Sequence, residues 1–203
     1  NIGHFAFSYC PSIQSVELSN NLQTIGDYAF AGAYSLNSII IPNSVKTIGS
    51  GCFKYTVITG SLKLSTQISV LPNECFRESD IKKLIFPYIG VTEIGDNAIA
   101  NIRKDIIPSL VSFESLRNLG ISALNYCNQT DIFEFFSTLN RIDDGAFLNT
   151  KDGVKIRFFS SCPVRIPLNA FRGLSDNATL LVPKGSKIIF QNAAPWSVIA
   201  NIH

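Results

Sequence analysis

The stretch Ile25-Gly26-Asp27-Tyr28-Ala29-Phe30, continued by Ile39-Ile40-Ile41-Pro42 and closed by Ile48, decides the fold because its pattern returns along the chain. An aliphatic anchor, usually followed by glycine, recurs at intervals of 23 to 25 residues. The anchors are Ile2, Ile25, Ile48, Leu71, Ile94, Leu119, Ile142 and Ile166. A fixed period of this length is typical of solenoids, in which each repeat packs only on its neighbours. We therefore predict a solenoid of about eight units, each about 23 residues long.

Each unit carries a large apolar residue five positions after its anchor and a small residue one position earlier. The large residues are Phe7, Phe30, Phe53, Phe76, Ile99, Leu124, Phe147 and Phe171. The small residues are Ala6, Ala29, Cys52, Cys75, Ala98, Ala123, Ala146 and Ala170. We expect the large side chains to form one continuous spine, which the small residues allow by letting neighbouring coils approach closely.

Each unit also contains a short stretch with apolar residues at every second position. The pairs are Val16/Leu18, Ile39/Ile41, Leu62/Leu64, Leu84/Phe86, Val111/Phe113, Phe133/Phe135, Ile156/Phe158 and Leu180/Val182. A period of two predicts one short strand per unit, and the strands together form a parallel sheet. Residues of helix N-cap type often stand two positions after the anchor, as in Asp27 and Asn73, and predict a short helical turn there.

Charge and motifs exclude several classes of function. The 203 residues carry 17 basic and 15 acidic side chains and a net charge of +2, without the basic patch that nucleic acid or an anionic membrane requires. No apolar run approaches the ~20 residues of a membrane helix. The two histidines, His4 and His203, lie at opposite ends of the sequence, and Asp143-Asp144 falls where the repeat places a turn. We therefore predict that the protein is not an enzyme and has no cofactor or metal site.

Five cysteines, an odd number, leave at least one thiol unpaired within a monomer. Cys52 and Cys75 occupy the small spine position in consecutive units, where alanine stands in the others. Because alanine and cysteine interchange there, we expect buried thiols. A disulfide between them is the alternative.

The repeat, in the form Ile-Gly-Asp-x-Ala-Phe followed by Ile-x-Ile-Pro-x-Ser-Val-x-x-Ile, resembles the BspA-like class of leucine-rich repeats. The segment Leu180 to Lys187, with Trp196 after it, is similar to the one that ends many such arrays in gut and oral Bacteroidetes. The resemblance implies an α/β leucine-rich-repeat solenoid, secreted or held at a bacterial cell surface, with a role in adhesion or protein recognition. We place the repeats in residues 1–183 and a C-terminal cap in residues 184–203.

The middle residues of the strands are expected to form one row on the open face of the sheet. They are Glu17, Ile40, Lys63, Ile85, Ser112, Glu134, Arg157 and Leu181. Phe136 and Phe159 follow strands of adjacent units, so we expect them about one strand spacing apart, ~5 Å. Beside Glu134 and Arg157 they predict an anchor patch, because binding hot spots favour aromatic residues and arginine. In the alternative, both rings lie under a neighbouring loop.

The leading hypothesis is a recognition module that binds a protein or extracellular matrix ligand through this face. The predicted partner-binding residues are Ile40, Lys63, Ile85, Glu134, Phe136, Arg157 and Phe159. A structural stalk or spacer is one alternative, and a carbohydrate-binding or carbohydrate-processing β-solenoid is another. Because Ile2 is already an anchor, the first coil is expected to expose an apolar end, which leaves self-association open.

Overall fold

The structure, a computed structural model, describes residues 1–85, 90–102 and 110–203. These residues form a solenoid of short parallel strands and turns. The strands are β1 (Thr24–Ile25), β2 (Ile39–Ile40), β3 (Thr47–Ile48), β4 (Val57–Lys63), β5 (Val70–Leu71), β6 (Asp80–Ile85), β7 (Glu93–Ile94), β8 (Leu110–Phe113), β9 (Asn118–Leu119), β10 (Ile132–Phe135), β11 (Arg141–Ile142), β12 (Lys155–Phe158), β13 (Thr179–Leu181) and β14 (Asn201–Ile202). Helix α1 (Lys187–Gln191) and a 3-10 helix (Trp196–Val198) lie close to the C-terminus.

The predicted parallel sheet is confirmed. It consists of β2-β4-β6 and, further along, β8-β10-β12-β13-β14. Strand residues one repeat apart lie opposite each other, as Ile40 does to Lys63 and Glu134 to Arg157. In the first unit the Val16/Leu18 segment forms no strand, and an isolated bridge joins Ser15 to Ser38 instead.

A second strand ladder runs through the anchors, so most coils contain two strands and not the single strand expected. It consists of β1-β3 and β5-β7-β9-β11 and pairs anchor with anchor, as in Leu71 with Ile94. The residue after the anchor donates its N–H to the preceding anchor, as Gly120 does to the Ile94 carbonyl. In the eighth unit that residue is Pro167, which has no N–H. Pro72, which follows the fourth anchor, also has no N–H, so the anchor pairing is interrupted between Ile48 and Leu71 and ends at Ile142. About seven turns take part in these two runs.

The Ala-Phe segments form hydrogen-bonded turns, whereas short helical turns were expected. In the second unit the Ala31 N–H donates to the Tyr28 carbonyl over 3.1 Å, and Tyr28 has a φ of 52°. A positive φ is incompatible with an α-helix. The N-cap interpretation of Asp27 also needs correction, because Asp27 Oδ1 accepts the Ser50 N–H of the next coil at 2.7 Å. Asn73 Oδ1 accepts the Asp96 N–H and Asp96 Oδ1 accepts the Ile121 N–H, in each case from the next coil and at 2.8 Å.

The predicted spine forms the core. Rings of successive units stack with centroids 5.2 Å apart for Phe7 and Phe30, 5.5 Å for Phe30 and Phe53, and 5.7 Å for Phe53 and Phe76. Cys52 and Cys75 are free and fully buried, as expected, and burial raises the pKa of both thiols well above its ordinary value. Stacked rings, with Ile99 and Leu124 in the fifth and sixth units, thus pack neighbouring coils against each other along the spine.

The chain ends in a compact apolar cluster. The Trp196 ring is buried edge-on against Phe158 and Phe171, with centroids 4.8 and 5.1 Å away, and its Nε1 donates to the Val164 carbonyl over 2.9 Å. Strand β14 pairs with β13. This packing supports the cap in residues 184–203, which stays a prediction. Among the described helices, none has the length and apolarity needed to span a membrane.

Candidate functional site

The outward-facing residues in the middle of the strands form a row that we call the strand face. The strand face has two parts. In the first part Ile40, Lys63 and Ile85 lie side by side on β2, β4 and β6. Ile40 is 62% exposed and Ile85 is 40% exposed, and Lys63 is also exposed. The residues that precede them, Ile39, Leu62 and Leu84, face the core, because side chains alternate between the two faces of a sheet. Two solvent-exposed isoleucines therefore flank an exposed lysine.

The second part is centred on a cross-strand ion pair. Arg157 Nη1 donates to Glu134 Oε1 over 2.6 Å, and the two residues are direct partners on β12 and β10. The Glu134 side chain is largely covered, whereas Arg157 remains partly exposed. A covered carboxylate requires such a partner to offset its lost hydration. The pair is therefore close to neutral as a unit and adds little net charge to the strand face.

Phe136 and Phe159 lie immediately beyond this ion pair. Their rings stack with centroids 4.5 Å apart and planes 23° apart, in agreement with the expected spacing. Phe159 is 47% exposed and Phe136 is half-buried. The alternative in which both rings lie under a loop therefore does not apply to Phe159. The stack offers a preoriented aromatic surface, and its role in partner binding stays a prediction.

A polar network that the repeat pattern did not predict lies on the turns of the second to fourth units. Glu74 accepts hydrogen bonds from Lys54 Nζ at 2.8 Å and from Arg77 Nη1 at 2.5 Å. The Tyr28 hydroxyl donates to the same carboxylate at 3.3 Å. Burial raises the pKa of Glu74, but the hydrogen bonds from Lys54 and Arg77 outweigh it, so the pKa lies below its ordinary value. Tyr28 and Glu74 lie three residues after their anchors, and Lys54 and Arg77 lie six after theirs. The repeat pattern did not reveal this network because the residue type at these two positions varies from unit to unit.

Several acidic side chains that the structure describes are engaged by neighbouring cations. Within residues 1–85, 90–102 and 110–203, no three His, Cys, Asp or Glu side chains lie close enough to hold a metal ion. Asp143, half of the adjacent carboxylate pair, contacts Arg141 Nε at 2.6 Å. The Glu74 carboxylate is likewise engaged by neighbouring cations.

Two parallel ladders, an apolar spine and an open strand face define a solenoid repeat protein. A family model for the BspA type leucine rich repeat region matches residues 1–111 and 103–194, in six copies. The chain therefore belongs to the BspA-type leucine-rich repeat family.

One solved structure with the same fold is described as the crystal structure of the pneumococcal vaccine antigen PcpA. The match has a TM-score of 0.51 and 19% sequence identity, and covers 99% of this chain. It covers 64% of the PcpA chain, so this sequence spans less than two thirds of that protein. At this identity the likeness shows the fold alone. No curated protein matches the chain.

Proposed function

We propose that this chain is a non-enzymatic recognition module of a secreted or cell-surface protein, and that it binds a protein or extracellular matrix ligand through the strand face. The observation that carries the proposal is the exposed Phe136–Phe159 stack beside the Glu134–Arg157 ion pair. Membership of a family of surface repeat proteins agrees with this role.

The strand face has the physical properties of a preorganised binding surface. Exposed aromatic and arginine side chains dominate the binding energy of protein interfaces. Because Phe159 is stacked on Phe136 and Arg157 is paired to Glu134, these side chains lose little conformational freedom when a ligand covers them. A stalk needs no such surface, and a glycosidase needs two carboxylates flanking a sugar, whereas Glu134 is engaged by Arg157.

The test is binding to a panel of purified extracellular matrix proteins, measured by biolayer interferometry. Phe159→Ser removes the exposed ring of the stack. Tyr34→Ser is the matched control, because Tyr34 is an equally exposed aromatic residue, at 47%, outside the strand row. Ile85→Ser is paired in the same way with Val70→Ser, since Val70 is 42% exposed but belongs to the anchor ladder.

We expect at least one panel member to bind and the two strand-face variants to weaken its binding about tenfold, the usual effect of removing a hot-spot side chain. The two controls should leave the affinity unchanged. Equal losses in variants and controls would place the ligand elsewhere on the solenoid. If no panel member bound, the result would favour the hypothesis that the chain is a structural stalk or spacer.

A further inference from the structure

We propose that the first part of the strand face is a docking site for an acidic polypeptide segment whose carboxylates alternate with apolar side chains. This inference rests on the proposed function and specifies the partner for Ile40, Lys63, Ile85 and two further lysines, Lys82 and Lys83.

A β-bulge brings the additional lysines to the surface. In the β4–β6 pair, Ile58 lies opposite Ile81 and Ser61 opposite Lys83, so two residues of β4 face the single residue Lys82. The extra residue is accommodated at Gly60, where a Cβ would overlap Ser38 Oγ. A bulge interrupts the alternation of side chains between the two faces and changes the direction in which they point. As a result the consecutive residues Lys82 and Lys83 are both exposed.

These cations have no acidic partner among the residues that the structure describes. Lys63, Lys82 and Lys83 form no ion pair with any residue that the structure describes, whereas Lys54, Lys151 and Arg157 each do. Of the two acidic residues in the row, Glu134 is paired with Arg157, and Glu17 lies two coils from Lys63, a separation of ~10 Å at the usual strand spacing. At that distance the interaction is largely screened at physiological ionic strength. The patch therefore presents positive charge that a ligand can complement.

The isoleucines determine the class of ligand. Along the row Ile40, Lys63 and Ile85, apolar and charged side chains alternate across neighbouring strands about 4.8 Å apart. A sulfated polysaccharide offers charge to the lysines but leaves both isoleucines in water. A polypeptide can contribute carboxylates and apolar side chains together, so that burial of Ile40 and Ile85 adds to the electrostatic attraction.

The experiment uses fluorescence anisotropy with a labelled peptide of alternating glutamate and leucine, its glutamine counterpart, and a labelled heparin fragment. The protein variants are Lys63→Glu/Lys83→Glu and the control Lys46→Glu/Lys184→Glu, which changes two exposed lysines away from the strand face. Each substitution lowers the charge by two, so both double variants change from +2 to −2 and differ only in where the charge is reversed.

The expected result is that the glutamate peptide binds and the glutamine peptide does not. The Lys63/Lys83 variant should then bind at least about tenfold more weakly than the control, with added salt weakening binding to the parent. Ile85→Ser should weaken binding more than Val70→Ser. Lysine-dependent binding of heparin alone, equal losses in both double variants, or no binding of the peptide would each overturn the inference.

The outcomes also separate this inference from the proposed function. If Phe159→Ser and Ile85→Ser weakened binding to a matrix protein while Lys63→Glu/Lys83→Glu did no more than its control, the recognition role would stand and the acidic partner would be wrong. If no matrix protein bound, the proposed function would fail independently of the peptide result.

Discussion

The hydroxyl of Tyr28 reaches Glu74, 46 residues further along the chain, and donates a hydrogen bond to Oε2 over 3.3 Å. The tyrosine spans the intervening coil because that coil has Gly51 beneath the ring, where a Cβ would overlap Tyr28 Cε1. One glycine thus allows a direct contact between coils that are not neighbours. This arrangement has a measurable consequence for stability.

Gly51→Ala should displace Tyr28 and destabilise the fold. Gly51 has a φ of +60°, so alanine incurs the ~1–2 kcal/mol cost of a left-handed conformation and the clash with the ring in addition. Gly145→Ala is the matched control: it has the same φ and the same place in its unit, and the nearest contact of its Cβ would be 3.6 Å. Urea unfolding should show the larger loss for Gly51→Ala. Equal losses would mean that the tyrosine moves aside freely.

Glu74→Gln should lower stability near neutral pH and have less effect in acid. The depressed pKa of Glu74 means that its carboxylate stabilises the fold fully above the ordinary value of 4.5, and that this contribution is lost as the pH falls through the folded-state value. We expect a loss of ~1–2 kcal/mol near pH 7, because charge-assisted hydrogen bonds to Lys54 and Arg77 are removed. Urea midpoints of parent and variant should converge as the pH falls below the folded-state pKa of Glu74, which lies below 4.5. A constant difference would contradict a role for the charge.

Phe53→Ala should be among the most damaging substitutions. Its ring is fully buried and stacks on Phe30 and Phe76 in the neighbouring coils, so truncation leaves a cavity between three units and should cost ~3–5 kcal/mol. Phe159→Ala, at an exposed ring, should cost less than ~1 kcal/mol. Denaturant unfolding compares the two. An unchanged denaturant midpoint for Phe53→Ala would mean that packing of the spine contributes little to the stability of the fold.

The cysteines should differ sharply in reactivity. Cys162 is exposed and should react rapidly with a thiol reagent near pH 8, whereas Cys52, Cys75 and Cys127 are buried and should react only on unfolding. Burial raises the pKa of Cys127 to about 12, which leaves almost no thiolate at that pH. Mass spectrometry of labelled native and unfolded protein provides the measurement. A mapped bond between Cys52 and Cys75 would contradict the prediction.

Deletion of residues 184–203 should lower both solubility and melting temperature. The deletion removes Trp196 from Phe158 and Phe171 and leaves strand β13 without β14. Exposed apolar rings and an unpaired strand edge favour association. Light scattering and thermal unfolding compare the deletion with the parent. A monomeric deletion with the parental melting temperature would show that these residues are a tail and not a cap.

The sequence predicted features that repeat at a fixed position within the unit. The spine, the register of Ile40 with Lys63 and Ile85, and the spacing of Phe136 and Phe159 all follow from one period. The anchor ladder escaped prediction because strands of two residues, such as Thr24–Ile25, are too short to show alternation.

Hydrogen bonds from a side chain to a different coil were not predictable either. Asp27 has the residue type of an N-cap, yet it accepts the N–H of Ser50 in the next coil. The bulge opposite Lys82 was not predictable either. The one indication of it in the sequence is Gly60, within a stretch that otherwise resembles a strand. Local patterns report which face a residue prefers, but not which neighbour will satisfy its hydrogen bonds.

The backbone hydrogen bonds between the described coils, such as those from Phe30 N–H to the Cys52 carbonyl and from Phe53 N–H to the Cys75 carbonyl, join residues about one repeat apart. The entropy lost on closing each coil is therefore nearly the same along the chain, since it depends on loop length. Folding can nucleate at any pair of adjacent coils and then grow by the addition of one coil at a time. The time the chain needs to fold then depends on its least favourable coil interface and not on the distance between its ends.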